Sequence, residues 1–590
     1  MKIEKQLKDI IILGLDKLGI SINNKEKDVV LQTTRKEFDG DFSLVCFGLS
    51  KYFEKNPEET AKIIGEHLLT EEDFVDRYNV VKGFLNISLK HSVWMNELKE
   101  FKALLSEKEK MKKKVMIEYS SPNTNKPLHL GHIRNNLLGF ALGNIMKEAG
   151  NKVSLVNLIN DRGIHICKSM LAWQKLGNNE TPDASGIKGD HLVGKYYVLF
   201  DKYYKKQIAE LMQQGISKEE AEKKASWMQE AQEMLRKWEA GDEEIMKLWR
   251  MMNAWVYQGF EQTYNKMGVQ FDKFYYESNT YLLGKDVVEE GLQQNVFFKK
   301  DDQSVWIDLS KEGLDEKLVL RGDGTSVYIT QDIGTAVQRH KELNCDDYIY
   351  VVGSEQEYHF KVLKLILQKM GYAWSEGIYH LSYGMVDLPS GRMKSREGTV
   401  VDADDLMKEV VEEARKKALE IGKHEDDEDD DLYRKIGMAA LKYFILKVDP
   451  KKKMLFDPSE SIDINGHTGP FIQYAYARIS SLKRKAAEEA MYIKDFDAEH
   501  LVDKRHLEIV KSITQYQSVL LQSAAGFSPA LLANYLYDLA KEFNQFYHDY
   551  PVLKEENVAL ANLRLFIADK TGEVLKKGMN LLGIEMPERM

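Results

Sequence analysis

The chain reads as a multidomain α/β protein, with a parallel sheet at its centre, a small α+β module before it and an all-helical module behind. Three observations predict this. A length of 590 residues asks for roughly three to four domains. A strand–loop–helix–strand succession occupies 115–159, and from about 430 onward only helical patterns occur.

Residues 1–110 carry helical patterns over 2–18 and 56–69 and a strand-like run over 83–89. The lysine-rich 108–114 then reads as a linker. A buried strand follows over 115–119. From His132 to Ala149 apolar residues recur at helical spacing (Ile133, Leu137, Phe140, Ala141, Ile145), and Gly150 sits where a helix stop belongs. The next strand is 153–159. Long, charged helical patterns over 170–265 read as an insertion between the halves of a parallel sheet. Strand signals return at 305–308, 326–329 and 347–352, the last followed by a loop and a helix. The acidic run 424–431 reads as a solvated loop. No internal repeat is visible. The expected units are 1–110, 111–400 with its insertion, connecting helices over 401–460, and a helical 461–590.

Composition limits the function classes. With 43% hydrophobic and 30% charged residues, there is ample material for large cores. Cys46, Cys167 and Cys345 lie far apart, which supports neither a disulfide framework nor a cysteine-based zinc site. The apolar patch 10–15 is too short for a membrane span, and no signal peptide is seen, so a cytoplasmic protein with no membrane partner is expected. A net charge of −10 argues against indiscriminate nucleic-acid binding but leaves room for a specific RNA.

The densest chemistry lies in Glu118-Tyr119-Ser120-Ser121-Pro122-Asn123-Thr124-Asn125-Lys126-Pro127-Leu128-His129-Leu130-Gly131-His132. Two imidazoles flank a glycine at a loop-to-helix junction, where free backbone N–H groups and the helix dipole favour anions. This suits a nucleotide whose α-phosphate is attacked. Far along the chain, 388–400 is a glycine-punctuated loop with three cations, Arg392, Lys394 and Arg396. Such a loop delivers positive charge to a departing pyrophosphate. A bare His-x-Gly-His could be incidental, but its prefix 122–127 weighs against that; the basic loop alone would pass as a solvated turn, and paired with the histidines it favours function.

Together these segments resemble the class I aminoacyl-tRNA synthetases, whose signatures are written HIGH and KMSKS. His129-Leu130-Gly131-His132 matches the first well and Arg392-Met393-Lys394-Ser395-Arg396 the second loosely. The prefix 118–127 is similar to arginyl-tRNA synthetases specifically. So are 321–332, 353–359, 468–478 and the ending 581–590. The resemblance implies a Rossmann-like catalytic domain, an N-terminal tRNA-contacting domain, and a helical anticodon-binding domain.

It also implies roles. His129, Gly131, His132, Met393, Lys394, Ser395 and His359 would meet ATP, with Lys394 and Arg396 on the departing phosphates. Ser395 stands where the family motif has lysine, so Lys126 is expected to supply the missing cation. Arginine's guanidinium, a planar fork of donors, demands carboxylates. Glu118 and Asp332 are the matched candidates, with Tyr328 adding a hydroxyl and an aromatic face. Ser121, Asn123 and Gln356 would hold the α-amino and α-carboxyl groups. For RNA, Arg478, Asn544 and Tyr547 are the candidates, in a segment that is not basic: 461–590 holds 15 Lys/Arg against 17 Asp/Glu.

The implied reaction consumes ATP with Mg²⁺, forms arginyl-adenylate and passes arginine to tRNA(Arg), with no protein-held metal, no zinc and no editing domain. A monomer is expected. In the family, arginine activation needs tRNA bound. The rival readings are a small nucleotidyltransferase, another class I synthetase, and a non-catalytic tRNA-binding relative.

Overall fold

The protein is seen in a computed structural model that describes every residue except 1, 23, 36, 72, 104–109, 388, 390–400, 421–428 and 490–501. At its centre is a five-stranded parallel sheet in the spatial order Ile378–Tyr383, Asp347–Gly353, Lys114–Glu118, Lys152–Ile159, Lys273–Tyr276. The first strand in sequence lies in the middle. The chain winds outward from it on one side, then returns and winds outward on the other. The reversal leaves a crevice at the carboxyl ends of Lys114–Glu118 and Asp347–Gly353, the place where sheets of this kind bind ligands.

Both faces of the three inner strands are largely buried, so these strands read as mostly apolar runs. Val115, Ile117, Leu155, Ile349 and Val351 point into one core, against the helix Leu130–Glu148. Met116, Val156, Tyr348 and Tyr350 alternate into a second core, covered by helices Lys285–Gln293, Tyr328–Leu343 and Glu357–Lys369. The first helix lies close to the strands because Gly139 and Gly143 face them. A Cβ at Gly139 would stand 2.4 Å from Tyr119, and one at Gly143 2.6 Å from Leu155.

The inserted region is helical as expected, with helices Ile164–Leu176, Gly189–Gln213, Ser226–Glu239 and Glu243–Met267. Two expectations need correction, and a third, the strand near 305–308, is met but in its own sheet. Residues 326–329 are not a strand: Tyr328 opens the helix Tyr328–Leu343, whose apolar positions Ile329, Ile333, Ala336 and Val337 keep helical spacing. Thr330 caps it by accepting the Val327 N–H at 3.0 Å. The strand near 305–308 exists as Val305–Ile307, but in a separate antiparallel sheet with Phe298–Lys299 and Lys317–Leu320. The tail is not wholly helical either, because Met454–Leu455 pairs in parallel with Val386–Asp387.

The N-terminal module packs helices Lys2–Lys17 and Pro57–Glu71 on a four-stranded antiparallel sheet. At the other end, helices Gly469–Glu488, Lys504–Thr514, Tyr516–Ala525, Pro529–Asp549 and Val558–Leu581 form a bundle. That bundle abuts the central helix, with Asn144 Nδ2 donating to Leu581 O at 3.3 Å and Lys577 pairing with Glu148 at 2.6 Å. Among the described residues, no helix is long and apolar enough to cross a membrane.

Candidate active site

The two histidines sit at the mouth of the crevice and cap the helix that begins there. His129 is the N-cap: its Nδ1 accepts the Gly131 N–H at 3.2 Å, while His132 Nδ1 accepts the His129 N–H at 3.2 Å. A ring nitrogen that accepts an N–H carries no proton, so each neutral imidazole bears its proton on Nε2. The rings lie 4.0 Å apart. Burial, then the nearby Lys126 charge, pushes the His129 imidazole down to about 4; burial, His129 and Lys126 hold His132 well below its usual range. Two neutral Nε2–H donors result. Beside them Lys126, lowered by burial alone, makes no hydrogen bond or ion pair among the described residues. A partly desolvated ammonium without a counter-ion and two fixed donors make an anion site.

Lys126, His129, His191, Tyr197 and Asp402 line a cavity of about 210 Å³ beneath this junction. The cationic-loop residues Met393, Lys394, Ser395 and Arg396 lie outside the described residues. Their flanks do not. Leu130 N donates to Val401 O at 3.2 Å and Ala403 N to Leu128 O at 3.0 Å, so the chain returns from that loop alongside the histidines. The fully buried Arg134 donates to the carbonyls of Gly384, Pro450 and Lys452 at 2.7, 3.0 and 2.8 Å, tying the other flank to the same helix.

Among the described residues, His191, Asp402 and Asp404 bring three potential ligand atoms within 4.8 Å of one another. Lys188 at 2.7 Å and Lys266 at 2.9 Å already hold Asp404. The group is an ion-pair junction between the inserted helices and the chain leaving the loop.

The acids gather at the strand ends. Glu118 ends the central strand, buried, and ion-pairs with Arg339; its Oε1 accepts the Ser121 hydroxyl at 3.2 Å. Ser120 and Ser121 both adopt the left-handed region, at φ +76° and +45°. That conformation is costly for such residues, and the turn is held by Asn157 Oδ1 on Ser121 N–H at 3.0 Å and by the Tyr264 hydroxyl on Ser120 Oγ at 2.7 Å. Asn123 is exposed next to this turn and Gln356 is exposed after Gly353, on the two sides of the crevice. Tyr328, 79% exposed, stands at its helix start with Asp332 one turn further on.

His359, expected near the nucleotide, pairs its Nε2 with Asp332 Oδ2 at 2.6 Å. Sequence reasoning missed Glu277. Burial pushes its carboxyl up to about 7; Asp161 and Asp332 add to the rise, and Arg162 opposes it. The same reasoning missed Arg339. Neither carries a local motif; only the non-local pairing of strand ends and helices brings them here.

In the C-terminal bundle, the three RNA candidates come together. Arg478 donates to Asn544 Oδ1 at 2.5 Å, with its guanidinium 4.8 Å from the Tyr474 ring and 5.4 Å from that of Tyr547. Tyr474, Arg478 and Tyr547 line a cleft of about 700 Å³ together with Arg484, Lys485, Lys554 and Arg589, and Asn544 holds Arg478 from behind the lining.

Comparison with known families agrees with this layout. The family model for the class I (R) tRNA synthetase catalytic domain matches residues 95–457. The arginyl tRNA synthetase N-terminal domain matches 2–89 and the DALR anticodon binding domain 472–590. An arginine–tRNA ligase of Bacteroides thetaiotaomicron is 55% identical over the whole of both chains. One of Flavobacterium psychrophilum is 52% identical, covering 95% of this chain and 96% of its own. The fold matches the solved arginyl-tRNA synthetase of Thermus thermophilus with a TM-score of 0.80, at 24% identity and covering 99% of this chain and 100% of that one. The solved arginyl-tRNA synthetase of Plasmodium falciparum gives 0.77, at 20% identity and 99% of each chain. With models for its catalytic core and both flanking domains matched and full-length relatives above half identity, the chain belongs to the arginyl-tRNA synthetases, class I enzymes that ligate arginine to tRNA.

Proposed function

We propose that both steps of arginine–tRNA ligation take place in the crevice. In the first, the arginine carboxylate attacks the α-phosphorus of ATP, forming arginyl-adenylate and expelling pyrophosphate. In the second, the terminal ribose hydroxyl of tRNA(Arg) takes the arginyl group and AMP leaves. No side chain is asked to form a covalent bond; positioning and charge supply the rate.

The observation that carries this reading is the pair of imidazoles, each accepting a backbone N–H at Nδ1, beside a Lys126 ammonium that has no partner among the described residues. His129, His132 and Lys126 would contact phosphate oxygens, with Lys394 and Arg396 reaching the leaving group from the loop that returns at Val401. Mg²⁺ accompanies the nucleotide and screens its phosphates. Asp332, with Glu277 and the Tyr328 hydroxyl, would face the substrate guanidinium. Glu118 contributes the oxygen beside Ser121, near Asn123 and Gln356, which would hold the α-amino and α-carboxyl groups. The Tyr474–Arg478–Tyr547 cluster would stack unpaired anticodon bases. A monomer working in the cytoplasm, where translation uses these substrates, is part of the proposal.

Replacing the two proposed anchors separates the substrates. Asp332→Asn is expected to raise the arginine KM by about 100-fold and leave the ATP KM within about twofold, and Lys126→Ala to do the reverse. A normal arginine KM in Asp332→Asn would remove that residue from the pocket.

A further inference from the structure

We propose that Arg339 is a positioning residue of the arginine pocket: by gripping Glu118 it sets the spacing between the strand end that carries Glu118 and the helix that carries Tyr328 and Asp332. This rests on the reading of the crevice given above. Arg339 lies seven residues, about two turns, beyond Asp332 on the helix Tyr328–Leu343. Its side chain is 2% exposed and points at the sheet, where Nη1 pairs with Glu118 Oε2. The guanidinium rests over the Tyr275 ring at 4.7 Å and the Tyr350 ring at 5.9 Å. Tyr350 is the residue directly opposite Glu118 in the adjacent strand.

The pair is a poor device for stability. A buried ion pair gains little over apolar packing of the same volume, and here Arg339 Nε is buried without a hydrogen-bond partner. Its geometric value is larger. The two aromatic faces and one carboxylate fix the guanidinium, and the guanidinium fixes Glu118, whose other oxygen holds Ser121 in its left-handed turn. A single side chain thus links the acid at the helix start to the strained turn across the crevice. Arg339 also neutralises Glu118 internally. The carboxylates left facing the pocket are then Asp332 and Glu277, on the side where a forked cation would enter.

The test uses the full-length enzyme with tRNA(Arg), measuring KM for arginine and for ATP alongside the thermal midpoint. Arg339→Gln should raise the arginine KM by about 30-fold with the ATP KM within about twofold, and Arg339→Lys, which keeps the charge, should bring the loss back to within about fivefold. Because Arg339 acts through Glu118, Glu118→Gln/Arg339→Gln should be no worse for arginine than Glu118→Gln alone. Equal losses for both substrates that track the thermal midpoint, or additive effects in the double variant, would overturn the proposal. If Arg339→Gln does not fold, Arg339→Met decides: an arginine KM raised with ATP KM unchanged supports the role, and parallel changes or none defeat it. Asp332→Asn, read separately, distinguishes a wrong pocket from a wrong latch.

Discussion

His129 and His132, proposed to meet the ATP phosphates, would do so by geometry rather than by charge. Each spends its Nδ1 lone pair on a backbone N–H of the helix start, which leaves one Nε2–H donor per ring, and burial favours the neutral form. Neutral donors stabilise growing phosphate charge without holding ground-state ATP too tightly. His132→Ala should therefore depress adenylate formation by about 100-fold while the arginine KM moves by less than about threefold, measured by pyrophosphate exchange. Equal losses in both would assign the residue to structure.

Glu277 supplies a pH signature. With its carboxyl raised to about 7, it is largely protonated in the free enzyme below that pH and ionised above it. A guanidinium favours the ionised form. Arginine KM should then fall as pH rises from about 6 to 8, by up to tenfold, and level off above. Glu277→Gln should flatten that profile. A flat profile in the unaltered enzyme would take Glu277 out of the pocket.

At the scale of elements, the helix Leu130–Glu148 does three things at once: it presents the histidines, it carries Arg134 to both flanks of the junction before the cationic loop, and it lies against the sheet through Gly139 and Gly143. The close approach leaves no room for a side chain. Gly139→Val should cost about 2–4 kcal/mol in urea unfolding of the domain, more than its lost helix freedom would explain. This element was legible in advance because its signals are local: apolar spacing, a glycine stop, histidines at the start. The strand–helix error at 326–329 has the opposite cause. Val327 and Ile329 look like a strand in a short window, and only the longer periodicity through Val337 reveals the helix. Lys273–Tyr276 and Ile378–Tyr383 gave no clear signal, being short and rich in polar or aromatic residues. The candidate residues inside motifs could be proposed from the sequence; Glu277 and Arg339 could not, since what singles them out is their partners, Arg162, Asp161 and Asp332 for the first and Glu118 for the second.

At the scale of the molecule, the helical tail is not a detached appendage. Its last helix meets the far end of the histidine-bearing helix through Asn144 and Lys577, and the N-terminal module meets the tail through Gln517 on Lys102 O at 2.8 Å. The tail is thus in contact with the helix whose other end carries His129 and His132. Such contiguity gives a physical route for RNA binding to bias the crevice, provided the two ends favour the same arrangement.

Isotope exchange between pyrophosphate and ATP, run with each amino acid and with or without tRNA(Arg), tests the whole account most directly. The account predicts exchange with arginine alone, and strong dependence on tRNA. Exchange driven by any other amino acid, or silence with arginine and tRNA both present, would contradict it.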